Sequence, residues 1–214
     1  MTHQELTLIA LKWLKRAQSA GGHGCQVALS ECKTGWRGEI PDAIGFRATG
    51  HAPTDGSVLV EVKVSRSDFL ADAKKTHRQG GGVGRWRYYL APAGLIRTDE
   101  LPTKWGLLEV NKRGHVKALA GPALCALGNN QGFRRLLVAF EHEQDLIGEN
   151  FLLVKALANT GDPQKVLDML REANNRNALL AKRNDDLRAR MERMVINYYR
   201  GETQNEGDEE FCKK

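Results

Sequence analysis

Four valines at alternate positions, Val58, Val60, Val62 and Val64, fix residues 57–65 as a β-strand with one apolar face. The two-residue period sends Leu59, Glu61, Lys63 and Ser65 to the other face. A continuous valine face belongs in a core, so Glu61 and Lys63 are expected to project together from the opposite surface. An acid and a base side by side on such a strand need a reason.

A second strand precedes it. Ile40, Asp42, Ile44 and Phe46 share a face, so the carboxylate of the Pro41-Asp42 pair interrupts an apolar row. An unpaired buried carboxylate is costly, and a bound cation is one way to satisfy it. Residues 49–56 are dense in turn formers, which predicts a hairpin that brings Asp42 and Glu61 close. Two carboxylates and a lysine so placed can hold a divalent metal and aim a water at a phosphodiester. A strand-edge salt bridge between Glu61 and Lys63 explains the same residues without chemistry.

Composition narrows the partner. The chain of 214 residues is long enough for one α/β domain with an appendage. Its net charge is +6, but residues 201–214 hold five acids against two lysines, which leaves +9 on residues 1–200. A basic body suits a polyanion. No apolar run is long enough to cross a membrane and no signal-peptide pattern opens the chain. Four scattered cysteines fit a reducing cytoplasm better than a disulfide scaffold.

The remaining elements follow from pattern. Thr2 and Glu5 read as a capping box opening a helix to about residue 17, with Leu6, Ile9, Ala10, Trp13 and Ala17 on one face. A short strand is expected at 25–30, a helix capped by Ser67 over 67–78, and an aromatic strand at 85–91 after the glycine run 80–84. Two shorter strands follow near 106–110 and 115–119, then helices near 133–146 and 151–159.

From Val166 the spacing changes to a strict four-three repeat: Val166, Leu170, Ala173, Asn177, Leu180, Asn184, Leu187, Met191, Met194, Tyr198. Such a repeat is a coiled-coil seam, and Asn177 and Asn184 at its a positions favour a two-stranded assembly. Against a simple parallel pair, Arg183 at g would face Arg188 at e. A long helix packed on its own domain is the other reading. Arg176, Arg183 and Arg190 could touch phosphate, although Glu172 and Asp186 stand four residues before two of them and could satisfy them within the helix.

The run from Glu61 through Val62, Lys63, Val64, Ser65, Arg66, Ser67, Asp68, Phe69, Leu70 and Ala71 to Asp72 resembles the signature segment of the MmcB-like DNA-repair and phage proteins, within the PD-(D/E)XK nuclease superfamily. Residues 87–96 and 101–108 continue the resemblance, which covers about residues 1–120. It implies an α/β fold with a restriction-endonuclease-like core: helix, three strands, helix, strand, in a mixed sheet flanked by helices. The organisation expected is a nuclease-like domain at 1–120, a helical extension at 121–160, a long coiled-coil helix at 161–200, and a disordered acidic tail at 201–214.

By the same resemblance, Asp42 and Glu61 would ligate Mg²⁺ or Mn²⁺, with the Val62 carbonyl as a third ligand. Lys63 would orient or help deprotonate the attacking water and offset transition-state charge. Many members add a glutamate from the first helix, and Glu5 is the positional match, although its capping box already explains it. Ser65, Arg66, Lys74, Arg85 and Arg87 are the candidates for contact with DNA phosphates, against N-capping for Ser67 and solvated helix charge for Arg66 and Lys74. The glycine run lacks the ending of a P-loop, and the spacing of His23, Cys25, Cys32 and His51 matches no common zinc pattern. The expected function is a metal-dependent DNA endonuclease or nickase, dimeric through its C-terminal helix. The alternative is a nucleic-acid-binding or repair-accessory protein that keeps the fold without turnover.

Overall fold

The computed structural model of the chain describes residues 1–35, 39–72, 81–159 and 161–211, from 201 onward as backbone alone. Contacts divide the chain into two compact units, Met1–Ala156 and Leu157–Lys214.

The first unit is an α/β layer structure. Helix α1 (His3–Lys15) is followed by β1 (Val27–Ser30), β2 (Ala43–Arg47) and β3 (Gly56–Val62), then α2 (Arg66–Asp72) and β4 (Trp86–Pro92). β5 (Trp105–Val110), β6 (Val116–Ala120), α3 (Asn130–Ala139) and α4 (Leu146–Asn159) complete it. The six strands form one sheet in sequence order. β1–β3 pair antiparallel, β4 and β5 add in parallel, and β6 closes antiparallel. The parallel step from β3 to β4 needs a crossover, and α2 lies within it.

Both faces of this sheet are covered. On one, Leu6, Ala10, Trp13 and Leu14 of α1 and Phe133 and Leu137 of α3 pack on Val58, Val60, Val62, Tyr88 and Leu90. On the other, Phe69 of α2, Leu152 of α4 and Ile96 of the β4–β5 connection pack on Ile44, Leu59, Tyr89 and Leu107. Val58, Val60 and Val62 are buried as the alternation predicts, but β3 ends at Val62, short of the expected residue 65, and Val64 is exposed; the opposite face of the strand is buried as well. α3 and α4, read from sequence as an extension beyond residue 120, supply part of this same core. The helix expected over 133–146 ends at Ala139, and a new one starts at Leu146.

Two further expectations change. Asp42 lies outside the strand it was assigned to: β2 starts at Ala43, and Ile40, supposed to share its face, is exposed. α5 (Pro163–Phe211) runs past Gly201, where a disordered tail was expected. Glu202, Gln204, Glu206, Glu209 and Glu210 are good helix formers, so acidity alone does not end a helix there.

Candidate active site

The capping box at the chain's start is present in full: Thr2 Oγ1 accepts from the Glu5 amide at 3.2 Å, and Glu5 Oε2 accepts from the Thr2 amide at 2.8 Å. Glu5 is therefore held at the helix end by its own cap. The residue that α1 sends toward the strands is His3, whose Nε2 lies 3.3 Å from Asp42 Oδ1.

Asp42 also accepts from the backbone amide of Val62 through Oδ2, at 2.8 Å. The β2–β3 register pairs Ala43 with Val60, so one step further sets Asp42 across from Glu61. The juxtaposition expected of the hairpin is present, with Asp42 clamping the end of β3 from its first residue before β2. The turn that makes it possible is tied by Asp55, whose carboxylate accepts from the amides of Thr49 and Gly50 at 2.8 and 2.7 Å.

Glu61 and Lys63 do not project from an open surface. Each is 3% exposed, because the face they share is roofed by α2 and the β4–β5 connection. A buried ammonium without counter-charges costs several kcal/mol, and Lys63 has several. Its Nζ lies 3.3 Å from Asp72 Oδ1, 3.8 Å from Asp68 Oδ1 and 4.0 Å from Glu61 Oε2. Asp72, itself buried, accepts from Tyr89 Oη at 3.0 Å. Tyr89 stacks on Trp105 with centroids 4.4 Å apart, and Lys63 Nζ sits 5.8 Å from its ring centre. Aromatic walls and three carboxylates thus surround one lysine.

Asp68, Asp72, Tyr89 and His3 were not singled out from sequence. A signal was there in part: Asp68 and Asp72 are four apart on a short helix, and so share a face with each other. Their partner is on another element, and nothing local announces that Lys63 is buried.

The residues fit a hard cation through donor type. Asp42, Glu61 and the Val62 carbonyl offer only oxygen, and Mg²⁺ binds through one or two carboxylates while keeping several waters. Among the described residues no three His, Cys, Asp or Glu side chains converge as a ready-made cage. That holds for the zinc reading as well: His23 is wholly buried, with Nε2 2.7 Å from Tyr88 Oη, and Cys25 is packed in the core.

The proposed DNA contacts fare differently. Ser65, not Ser67, caps α2: its Oγ accepts from the Asp68 amide at 3.2 Å, while Ser67 Oγ lies 3.0 Å from it. Arg66 is engaged by Glu100 in a two-pronged ion pair and holds that carboxyl down to about 2. Arg85 pairs with Glu141 at 3.0 Å, donates to the Ala52 and Asp55 carbonyls, and stacks on Trp86. Arg87 is buried and donates to the carbonyls of Gly81, Gly82, Gly84 and Glu143. It fastens the glycine loop from within and does not face phosphate. The sequence showed an arginine beside flexible glycines; it could not show which side of the loop the guanidinium enters. Lys74 lies outside the described residues.

No family model matches the chain, and no curated protein matches it significantly. Among solved structures, the SPO1766 protein of unknown function from Silicibacter pomeroyi is similar over 77% of this chain and 94% of its own, at 19% identity and a TM-score of 0.42.

Proposed function

We propose that the chain is a metal-dependent nuclease acting on DNA, built on a restriction-endonuclease-like core. The observation that carries this reading is the meeting of Asp42, Glu61 and Lys63 at one end of β3, in the element order helix, three strands, helix, strand. Asp42, Glu61 and the Val62 carbonyl would hold Mg²⁺ or Mn²⁺. That ion, when bound, supplies a Lewis acid and a water of lowered pKa. His3 orients Asp42 from the first helix, and the Val62 amide fixes its other oxygen. Lys63, steered by Asp68 and Asp72, offsets charge on the phosphate as water attacks phosphorus and the bond to the leaving oxygen breaks. The basic body favours the polyanionic substrate.

One observation favours a second reading, a nucleic-acid-binding protein that keeps the fold without turnover. Glu61 and Lys63 are buried, and Asp42, with a side chain 21% exposed, is the motif member that solvent reaches most readily.

Supercoiled plasmid incubated with Mg²⁺, Mn²⁺ or EDTA separates the two. The nuclease reading expects metal-dependent nicking that falls at least about 100-fold in Asp42→Ala and in Lys63→Ala, with DNA binding retained. Full activity in either variant would sink the mechanism. Binding by the unaltered chain without nicking in either metal would establish the second reading.

A further inference from the structure

Helix α5 carries an apolar stripe open to solvent. Leu170, Leu180, Leu187, Met191, Met194 and Tyr198 all fall at a or d of the four-three repeat, and all are exposed. Between residues 166 and 200 the flanking e and g positions hold four charged side chains, and all four are arginines: Arg176, Arg183, Arg188 and Arg190. They are exposed too. Glu172 and Asp186, placed to neutralise Arg176 and Arg190 along the helix, make no ion pair with them among the described residues. Among the described residues α5 forms an ion pair between Arg171 and Asp168, at 2.9 Å, which lies off the seam.

Charge decides what can cover such a stripe. In a parallel pair of copies, g faces the following e, which sets Arg183 of one copy against Arg188 of the other. In an antiparallel pair g faces g, and the row Arg176, Arg183, Arg190 opposes itself. With residues 166–198 paired along their whole length, neither orientation places a carboxylate at the e or g position facing any of the four. Like charges at these positions act against pairing, the device by which coiled coils reject a partner. A nucleic acid would answer the arginines but leave Leu180, Leu187, Met191 and Met194 in water. A helix with apolar a and d positions and acids at e and g answers both.

We propose that α5 is the docking helix for a partner protein that presents an acidic amphipathic helix, the two forming a heteromeric coiled coil over residues 166–198. Asn177 and Asn184 would face polar a-position residues of that helix and set a parallel register. This does not depend on the nuclease reading, since it uses no residue of that site.

The test uses the full chain and two synthetic helices of about 35 residues, long enough to span the seam. Both carry Ile at a, Leu at d and Asn opposite Asn177 and Asn184; one has Glu at every e and g, the other Lys. Fluorescence anisotropy should show the Glu helix binding at least about tenfold tighter than the Lys helix, an advantage that shrinks with added salt. A variant with Arg176, Arg183, Arg188 and Arg190 all changed to Glu should reverse the preference, which loss of folding could not do. Equal binding of the two helices, or no binding of the Glu helix at about 100 μM, overturns the proposal. So does sedimentation of the chain as a self-paired dimer that the Glu helix fails to displace. Duplex DNA bound through the four arginines, with neither helix binding, would assign the surface to nucleic acid instead.

Discussion

His23 shows how far a single residue's role can lie from its apparent chemistry. By composition it belongs with Cys25 and Cys32 as a possible metal ligand; in the fold it is enclosed by Trp13, Trp86, Tyr88 and Phe133, with ring centroids 5.3–6.0 Å away. Tyr88 Oη accepts from the Ala123 amide at 3.1 Å and lies 2.7 Å from His23 Nε2, the hydrogen bond that ties the imidazole into this aromatic cage. Burial, helped by the Arg47 guanidinium, lowers the pKa of His23 from 6.5 to about 3. The ring is therefore neutral in the fold and charged in the unfolded chain below pH 6.5. The unfolded state binds the extra proton across that window, so stability falls as pH drops from 6.5 toward 3. Between pH 7.5 and pH 5 the loss from this group is about 2 kcal/mol. His23→Phe should flatten the pH dependence of urea unfolding by that amount. Identical slopes for the two proteins would mean that His23 is not held neutral.

At the scale of elements, the strands show what a sequence reveals and what it withholds. The valine alternation of β3 was legible because it is local and repeats every two residues. The burial of its other face was not, because the segments that roof it arrive from elsewhere: Ser57 Oγ donates to Glu149 Oε1 of α4, ninety-two residues on, at 2.6 Å. The same carboxylate accepts from the Gly84 amide, and burial raises its pKa. Asp42 and Glu61 were legible as a pair because a hairpin sets its own register. Asp72 and Tyr89 were not, because their meeting depends on a parallel crossover. A spatial constraint of the same kind acts at Gly106, which faces Tyr88 across the β4–β5 pair. A Cβ there would lie 2.2 Å from Tyr88 Cδ1 and 3.0 Å from the Ala120 carbonyl. The Tyr88 ring is fixed by Trp13 and His23 and cannot move aside. Gly106→Ala should therefore cost about 1–3 kcal/mol in urea unfolding, although alanine suits a strand interior better than glycine. A neutral or stabilising result would show that the ring can shift.

For the molecule as a whole, stability is divided unevenly. Both core clusters draw every member from residues up to Leu152, all within the first unit. α5 has long exposed runs of polar and charged residues, and its apolar side chains are exposed as well. Helices in proteins owe most of their stability to packing of an apolar face, and a solvated helix melts gradually because each residue adds little. The chain should accordingly unfold in two stages: a broad loss of helical circular dichroism from α5, and a separate sharp transition from the sheet domain. Ending the chain after Asn159 should remove the broad stage and leave the sharp midpoint within about 2 °C. The acidic helix, by filling the stripe of α5, should sharpen the broad stage and raise it, while the other transition stays where it was. A single cooperative transition, shifted as one by that helix, would show instead that α5 and the sheet share one folding unit, and that the arginine-flanked stripe is not free to take a partner of its own.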